Sequence, residues 1–320
     1  MQLLDLPVNP TPPGAEVRTV VTKDGVSLRS ASWSRLSGTT ADRGAVLLLQ
    51  GRAEFIEKYF EIVAGLRSRG FAVTTFDWRG QGRSDRALPN RHLGQVRDFA
   101  DFRLDYEAVR ATIADGERVT VLAHSMGGAV ALAGAGEGWL DACRLICTNP
   151  MLGLSIVKAK RLARLTARLL VRAGFGSRVV PGGVDASIST LPFPGNRLSR
   201  DPGRYDRNAA LAHALDWGAI GSPTIGWLDA AYAAMDRLAR PGVAASIAGP
   251  VLMLLSERDR VCSARAMTRF AEEVPLGRVV LVPEAEHEIL METDAVLATF
   301  WDAFDDFVRD GEDRRAAAVA

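Results

Sequence analysis

The chain has 320 residues, of which 48% are hydrophobic and 24% charged, and its formal net charge is +1. That length and balance suit one large or two ordinary soluble domains with a sizeable core, and the near-zero charge gives no global field to draw nucleic acid or an acidic partner. Three cysteines (Cys143, Cys147 and Cys262) are too few for a disulfide framework and lack metal-ligand spacing, so a reducing compartment is expected.

The opening MQLLDLPVNPTPPGAEV has no basic start leading into a long apolar run, unlike a secretory signal. Val17–Val21 and Val26–Trp33 read as strands joined by a hairpin at Asp24-Gly25. Ala45–Gln50 is a continuous apolar run, the pattern of a strand buried on both faces. Helical spacing over Ile56–Arg69 stops at Gly70, and Phe71–Phe76 is a second buried strand. Phe99–Ala114 reads as helix, Arg118–Ala123 as strand, Met126–Gly136 as helix and Cys143–Thr148 as strand, ended by Asn149-Pro150. From about 151 to 245 the rhythm breaks into helical patterns and Gly/Pro loops. It resumes with strand Val251–Ser256, helix Ser263–Glu273, strand Arg278–Val282 and helix Ala295–Val308. The closing GEDRRAAAVA reads as a frayed tail. No stretch approaches the roughly 18 apolar residues of a membrane span.

Strand–helix alternation of this kind predicts an α/β fold: a mostly parallel central sheet, helices on both faces and a mixed edge from the opening hairpin. Residues 1–150 and 246–320 form the core in this reading. Residues 151–245 are an insertion after one strand, placed as a helical lid would be.

Ser125 lies where the run Val119–Ala123 meets the helical pattern from Met126. A serine at such a turn is a nucleophile elbow, whose crowded backbone needs small residues two before and two after. Ala123 and Gly127 meet that need, with Gly128 beyond; the more usual first residue is glycine. A serine hydroxyl needs a base, and the base an orienting carboxylate, in the chain order serine, acid, histidine. Of His92, His124, His213 and His287, only His287 follows the late strand Val251–Ser256 and its acid. Asp259 is the acid just after that strand, with Glu257 as its competitor. A serine before Gly-Gly can equally be a helix cap, and a loop histidine a surface residue; three placements agreeing in order favour the triad. The two oxyanion donors expected are the N–H of Met126 and that of Arg52, after the first buried strand, with Gly51 keeping the turn open. Phe76–Asp85 (FDWRGQGRSD) lacks the third glycine and the Gly-Lys-Ser/Thr of a phosphate loop. It reads as a tight loop at the site's mouth, braced by Asp77 and Arg79.

These residues resemble the α/β-hydrolase superfamily, in particular serine hydrolases of the lysophospholipase and monoacylglycerol lipase group and the bacterial lysophospholipase L2 type. The resemblance rests on Gly51–Tyr59 (GRAEFIEKY), Asp77–Ser84 (DWRGQGRS), Ala123–Gly128 (AHSMGG) and the Asp259 and His287 segments. It spans about 17–148 and 249–310 and continues weakly at Thr224-Ile225-Gly226-Trp227-Leu228. The chain departs at Gln50, where many relatives carry histidine, and most in the middle segment. The resemblance implies Ser125, Asp259 and His287 as triad, Arg52 and Met126 as oxyanion hole, and a lid over an acyl-chain pocket.

The expected activity is cofactor-free and metal-free hydrolysis of a single-chain lipid ester, a lysophospholipid or monoacylglycerol, in the cytoplasm. An acyltransferase using the same triad and a non-catalytic lipid-binding protein are the rivals. Trp217, Trp227 and Tyr232 either line the acyl pocket or belong to the core, with Trp227 the chosen substrate contact. Met151–Val184 holds seven basic residues and no acidic one. Arg161, Arg164, Arg168 and Arg172 share one helical face beside Leu162, Leu165 and Leu169. Such a helix either lies on an anionic membrane surface or packs its leucines on the core and solvates its arginines.

Overall fold

The computed structural model describes residues 2–38, 43–157 and 159–319. The strands are β1 (Ala15–Val21), β2 (Ser27–Trp33), β3 (Ala45–Leu49), β4 (Ala72–Phe76), β5 (Val119–His124), β6 (Arg144–Thr148), β7 (Val251–Ser256) and β8 (Gly277–Val282). They form one sheet in the order β1-β2-β4-β3-β5-β6-β7-β8. β1 and β2 are antiparallel to each other, and β2 to β4; every later pairing is parallel. The α/β expectation and its mixed edge are both met.

Residues of β3, β5, β6 and β7 are buried throughout, because helices cover both faces. Leu47, Leu49, Val121 and Ala123 point to one side. They meet α2 (Asp101–Arg110), α3 (Met126–Glu137), α6 (Ile225–Leu238) and α7 (Ala264–Glu273). Val46, Leu48, Leu122 and Ile146 point to the other, against α1 (Phe60–Ser68) and α8 (Asp294–Val319). The order turns back at β3: the chain leaves it for β4 on one side, then returns to β5 on the other. Ligand crevices in open α/β sheets form at such a switch point, beyond the carboxyl ends of the strands. The loop after β3 and the serine after β5 both lie there.

Some boundaries differ from the reading of the sequence. Ile56–Tyr59 is a 3-10 turn, and α1 begins only at Phe60. The Asp77 carboxylate takes the Ile56 N–H at 3.0 Å and ties that turn to the neighbouring loop. Helix α8 does not end at Val308 but runs to Val319, so the tail expectation is corrected along most of its length. Glu, Arg and Ala are strong helix formers and carry the helix past Gly311.

Residues between β6 and β7 hold α4 (Lys160–Arg172), α5 (Pro202–Leu215) and α6. Asp201 caps α5 ahead of Pro202, and the Thr224 hydroxyl caps α6 by accepting the Trp227 N–H. Helix α4 rests on α6 through small residues, with Ala167 buried and Ala163 partly so. Its leucines face away. Leu162, Leu165 and Leu169 are 65%, 55% and 54% exposed, so the reading in which they pack on the core does not hold.

Candidate active site

Strand β5 ends at His124, and α3 starts at Met126. Between them Ser125 is held at φ 49°, ψ −111°, a strained conformation for a residue with a side chain. Local bonds hold it there. The Ser125 N–H donates to Thr148 O at 3.0 Å, and Ser125 O accepts from Ala129 N at 3.1 Å and Met151 N at 2.9 Å. The small neighbours are sterically required. A Cβ at Gly127 would lie 2.6 Å from both Leu49 O and Gln50 O, and one at Gly128 would lie 2.9 Å from Pro150 Cβ.

The loops after β7 and β8 bring two partners to this serine. His287 Nε2 is 3.0 Å from Ser125 Oγ, and His287 Nδ1 is 2.9 Å from Asp259 Oδ2. Asp259 Oδ1 accepts the N–H groups of Val261 at 2.7 Å and Cys262 at 2.9 Å. Burial raises the Asp259 pKa, but His287 and these N–H donors outweigh it and hold the carboxyl below its usual value. Burial likewise opposes charge on His287, yet the carboxylate of Asp259, helped by Glu288 and Glu54, lifts its pKa above the ordinary value. Glu257 is exposed and receives the Glu284 N–H at 3.4 Å, so the competitor acid faces away.

The other histidine nearby differs. His124 stacks 5.0 Å from His287, with Nδ1 3.1 Å from Thr148 O. Burial lowers its pKa to about 4, so it is neutral at pH 7. Cys262 is also buried, which raises its thiol pKa well above the usual value and keeps it protonated. Ligand-type atoms of Asp259, Cys262 and His287 lie within 4.8 Å of one another. The carboxylate and both imidazole nitrogens are already engaged in hydrogen bonds, so this donor set does not suit a metal.

The loop after β3 is fixed from below. Glu54 accepts the Gly51 N–H at 2.5 Å and the Tyr59 hydroxyl at 2.5 Å. Lys58 Nζ bridges Glu54 and Glu288 at 2.7 Å each. Burial favours the neutral acid, but Lys58 and then His124 bring the Glu54 pKa down to about 2. On Glu288 burial prevails over Lys58, and its pKa is raised. From the side, Gln81 takes the Ala53 N–H at 3.1 Å and gives to Gly51 O at 2.9 Å; Trp78 Nε1 donates to Gln50 O at 2.9 Å. Asp77 braces the same loop through Arg29 Nε, Ile56 N and Arg83 N, and Arg79 pairs with Asp24 and Asp105. The bracing role expected of Asp77 and Arg79 is what these bonds describe. Neither Arg52 N–H nor Met126 N–H donates to a protein acceptor among the described residues.

The aromatic candidates separate. Trp227 stands at the start of α6, 5.6 Å from Phe99 and under the Arg52 guanidinium. Trp227 and Tyr232 both belong to the core cluster. Trp217 instead carries Arg83, Arg86 and Arg91 over its ring. Ser125 itself is only 8% exposed. Sequence reasoning missed Lys58, Glu288 and Asn149. Asn149, at φ 44°, donates to His287 O at 2.7 Å and Ser256 Oγ at 2.6 Å. An asparagine before proline at a strand end was its only signal.

A family model described as serine aminopeptidase, S33, matches residues 40–294. Lysophospholipase L2 of Escherichia coli K12 is 34% identical over 279 residues, 82% of this chain and 79% of that protein. A monoglyceride lipase of Saccharomyces cerevisiae is 23% identical over 291 residues, 86% of this chain and 88% of its own. A solved soluble variant of Saccharomyces cerevisiae monoglyceride lipase with a substrate analogue superposes with a TM-score of 0.72 at 21% identity, covering 94% of this chain and 99% of that one.

Removing Lys58 leaves two buried carboxylates facing each other. Lys58→Met is expected to destabilise the protein by about 3–5 kcal/mol, measured by denaturant unfolding. A loss below about 1 kcal/mol would mean that the bridge carries no structural weight.

Proposed function

The chain belongs to the serine aminopeptidase S33 family of hydrolases, has the α/β-hydrolase fold and is a carboxylic ester hydrolase, and from that premise we propose that Ser125, His287 and Asp259 are its catalytic triad. The observation that carries this reading is the continuous hydrogen-bonded line from Ser125 Oγ through His287 to Asp259. His287 Nε2 takes the hydroxyl proton as Ser125 Oγ attacks the ester carbonyl carbon. The oxyanion is received by the unengaged N–H groups of Met126 and Arg52, the first at the N-terminus of α3. His287 then gives its proton to the departing alkoxide, leaving an acyl-enzyme on Ser125. A water, deprotonated by His287, attacks the acyl carbon and frees the acid. Asp259 holds the imidazole with Nδ1 protonated and stabilises the imidazolium.

The substrate we infer is a single-chain lipid ester, lysophospholipid or monoacylglycerol. The relatives' activities support it, as does Trp227, an apolar face placed against the oxyanion loop. Aminopeptidase action, which the family description would allow, needs a carboxylate for the substrate's ammonium. The charged group beside Trp227 is instead the guanidinium of Arg52.

Residues 151–245 are, in this reading, a lid inserted into a core of 1–150 and 246–320, closed over Ser125. The outward leucines of α4 and their flanking Arg161, Arg168 and Arg172 suit an anionic membrane surface. The protein would then work peripherally at the cytoplasmic leaflet, with no partner beyond lipid. Among the described residues, no helix is long and apolar enough to cross a membrane.

Three measurements test this reading. Hydrolysis of lysophosphatidylcholine and monoacylglycerol is expected for the native protein and lost by at least roughly 10³-fold in Ser125→Ala; equal turnover in both would refute the nucleophile. His287 acts as base only when neutral, so activity is present above its pKa and lost as pH falls through it. With that pKa raised, the acid limb of kcat/KM should lie above the ordinary value of about 6.5. Asp259→Asn should move the limb down and cut kcat by roughly 10⁴-fold; an unmoved limb would remove Asp259 from the triad. Finally, the protein should sediment with phosphatidylglycerol vesicles, and Leu162→Glu with Leu165→Glu and Leu169→Glu should abolish this. Undiminished sedimentation would exclude α4 as the contact.

A further inference from the structure

Arg52 is an enclosed arginine with neither a counter-charge nor a full set of acceptors: Arg67 and Arg86, which also lack a carboxylate, each donate to two or more backbone carbonyls, where Arg52 donates to one, and other arginines are ion-paired. Arg29 has Glu57 and Asp77, Arg79 has Asp24 and Asp105, and Arg204 has Glu61 and Asp201. Arg52 has none among the described residues. Its Nη2 donates to Gly221 O at 2.8 Å, its guanidinium lies 4.9 Å over the Trp227 ring, and its Nε is shut off from solvent with no partner. Burial lowers its pKa to about 9. Enclosing a cation without an anion is unfavourable.

We propose that the Arg52 side chain receives the phosphodiester of a lysophospholipid headgroup, making it the residue that selects phospholipid over neutral glyceride. The proposal rests on the lipid-ester reading above. Covalent geometry matches the two partners. The same number of bonds separates an arginine's backbone nitrogen from Cζ as separates the ester carbonyl carbon of a 1-acyl glycerophospholipid from its phosphorus. A carbonyl oxygen at the Arg52 N–H thus places the phosphate within reach of the same residue's guanidinium. Trp227 supports the flat face of that group, and Nη1 with the second hydrogen of Nη2 remains for a forked contact with two phosphate oxygens. The bond to Gly221 O occupies Nη2 and needs no charge, and it leaves Nη1 without a partner among the described residues.

The test compares lysophosphatidylcholine with monoacylglycerol of the same acyl chain in the native protein, Arg52→Gln and Arg52→Lys. Because Arg52 also supplies the oxyanion N–H, both substrates are expected to lose rate in the variants. The ratio of their kcat/KM values is the readout. It should fall at least tenfold in Arg52→Gln, chiefly through KM for the phospholipid, and recover in part in Arg52→Lys. A uniform fall with the ratio unchanged overturns the proposal. A second arm needs no lipid turnover: inhibition of p-nitrophenyl butyrate hydrolysis by sn-glycero-3-phosphocholine should weaken at least tenfold in Arg52→Gln. Equal inhibition of native and variant proteins, or inhibition by inorganic phosphate as strong as by the phosphodiester, overturns it. A chain that cleaves p-nitrophenyl butyrate but neither lipid refutes the lipid-ester reading, while the inhibition arm still decides the role of Arg52.

Discussion

The backbone of Ser125, forced to φ 49° between a strand and a helix, is the constraint on which the rest of the site depends. A non-glycine residue in such a conformation costs about 1–3 kcal/mol and persists only when its surroundings over-determine it. Here they do. Three backbone bonds fix the residue's own N–H and C=O. The loop after β3 and Pro150 close in from two sides, so near that any side chain at Gly127 or Gly128 would collide with them. The sheet order follows the same logic. Only because β3 lies beside β5 can the loop after one strand face the serine after the other.

Around this turn the protein uses buried charge to join segments that the chain keeps apart. Lys58 links the loop after β3, through Glu54, to the residue after His287, through Glu288. Asn149, at the end of β6, holds the carbonyl of His287 itself. In a low-dielectric interior such groups are costly unless every partner is in place. The network therefore acts as a check on assembly: the loop after β3 and the histidine loop are held in a common frame or neither is. The field it sets up also reaches His287. Glu288 and Glu54 add to Asp259 in favouring a proton on His287, while His124 stays neutral nearby.

Much of this was legible in the sequence. The buried strands announced themselves as unbroken apolar runs, since a strand covered on both faces has no polar side to alternate. Ser125, Asp259 and His287 could be placed because each must follow a strand, in a fixed order, and only one histidine remained at the end. What was hidden has a common physical cause. Lys58 and Glu288 read as ordinary charged residues, because no local pattern tells a lysine that it will be enclosed between acids from two distant loops. The orientation of α4 was also open: leucines and arginines on adjoining faces do not say which small residues will be chosen for contact. Ala163 and Ala167 took that role and turned the leucines outward. The end of α8 was misjudged because a glycine in a helix-forming context weakens a helix without stopping it.

The proposed triad is drawn from far-separated points of the chain, the serine and histidine lying 162 residues apart. During synthesis Ser125 leaves the ribosome long before His287. β8, the loop bearing His287 and α8, which covers one face of the sheet, are made after Ser125. Until they arrive, Ser125 lacks its His287 contact and the sheet lacks the helix that covers one face, so the proposed triad cannot form on an unfinished sheet. Assembly of the proposed site and completion of the fold therefore arrive together.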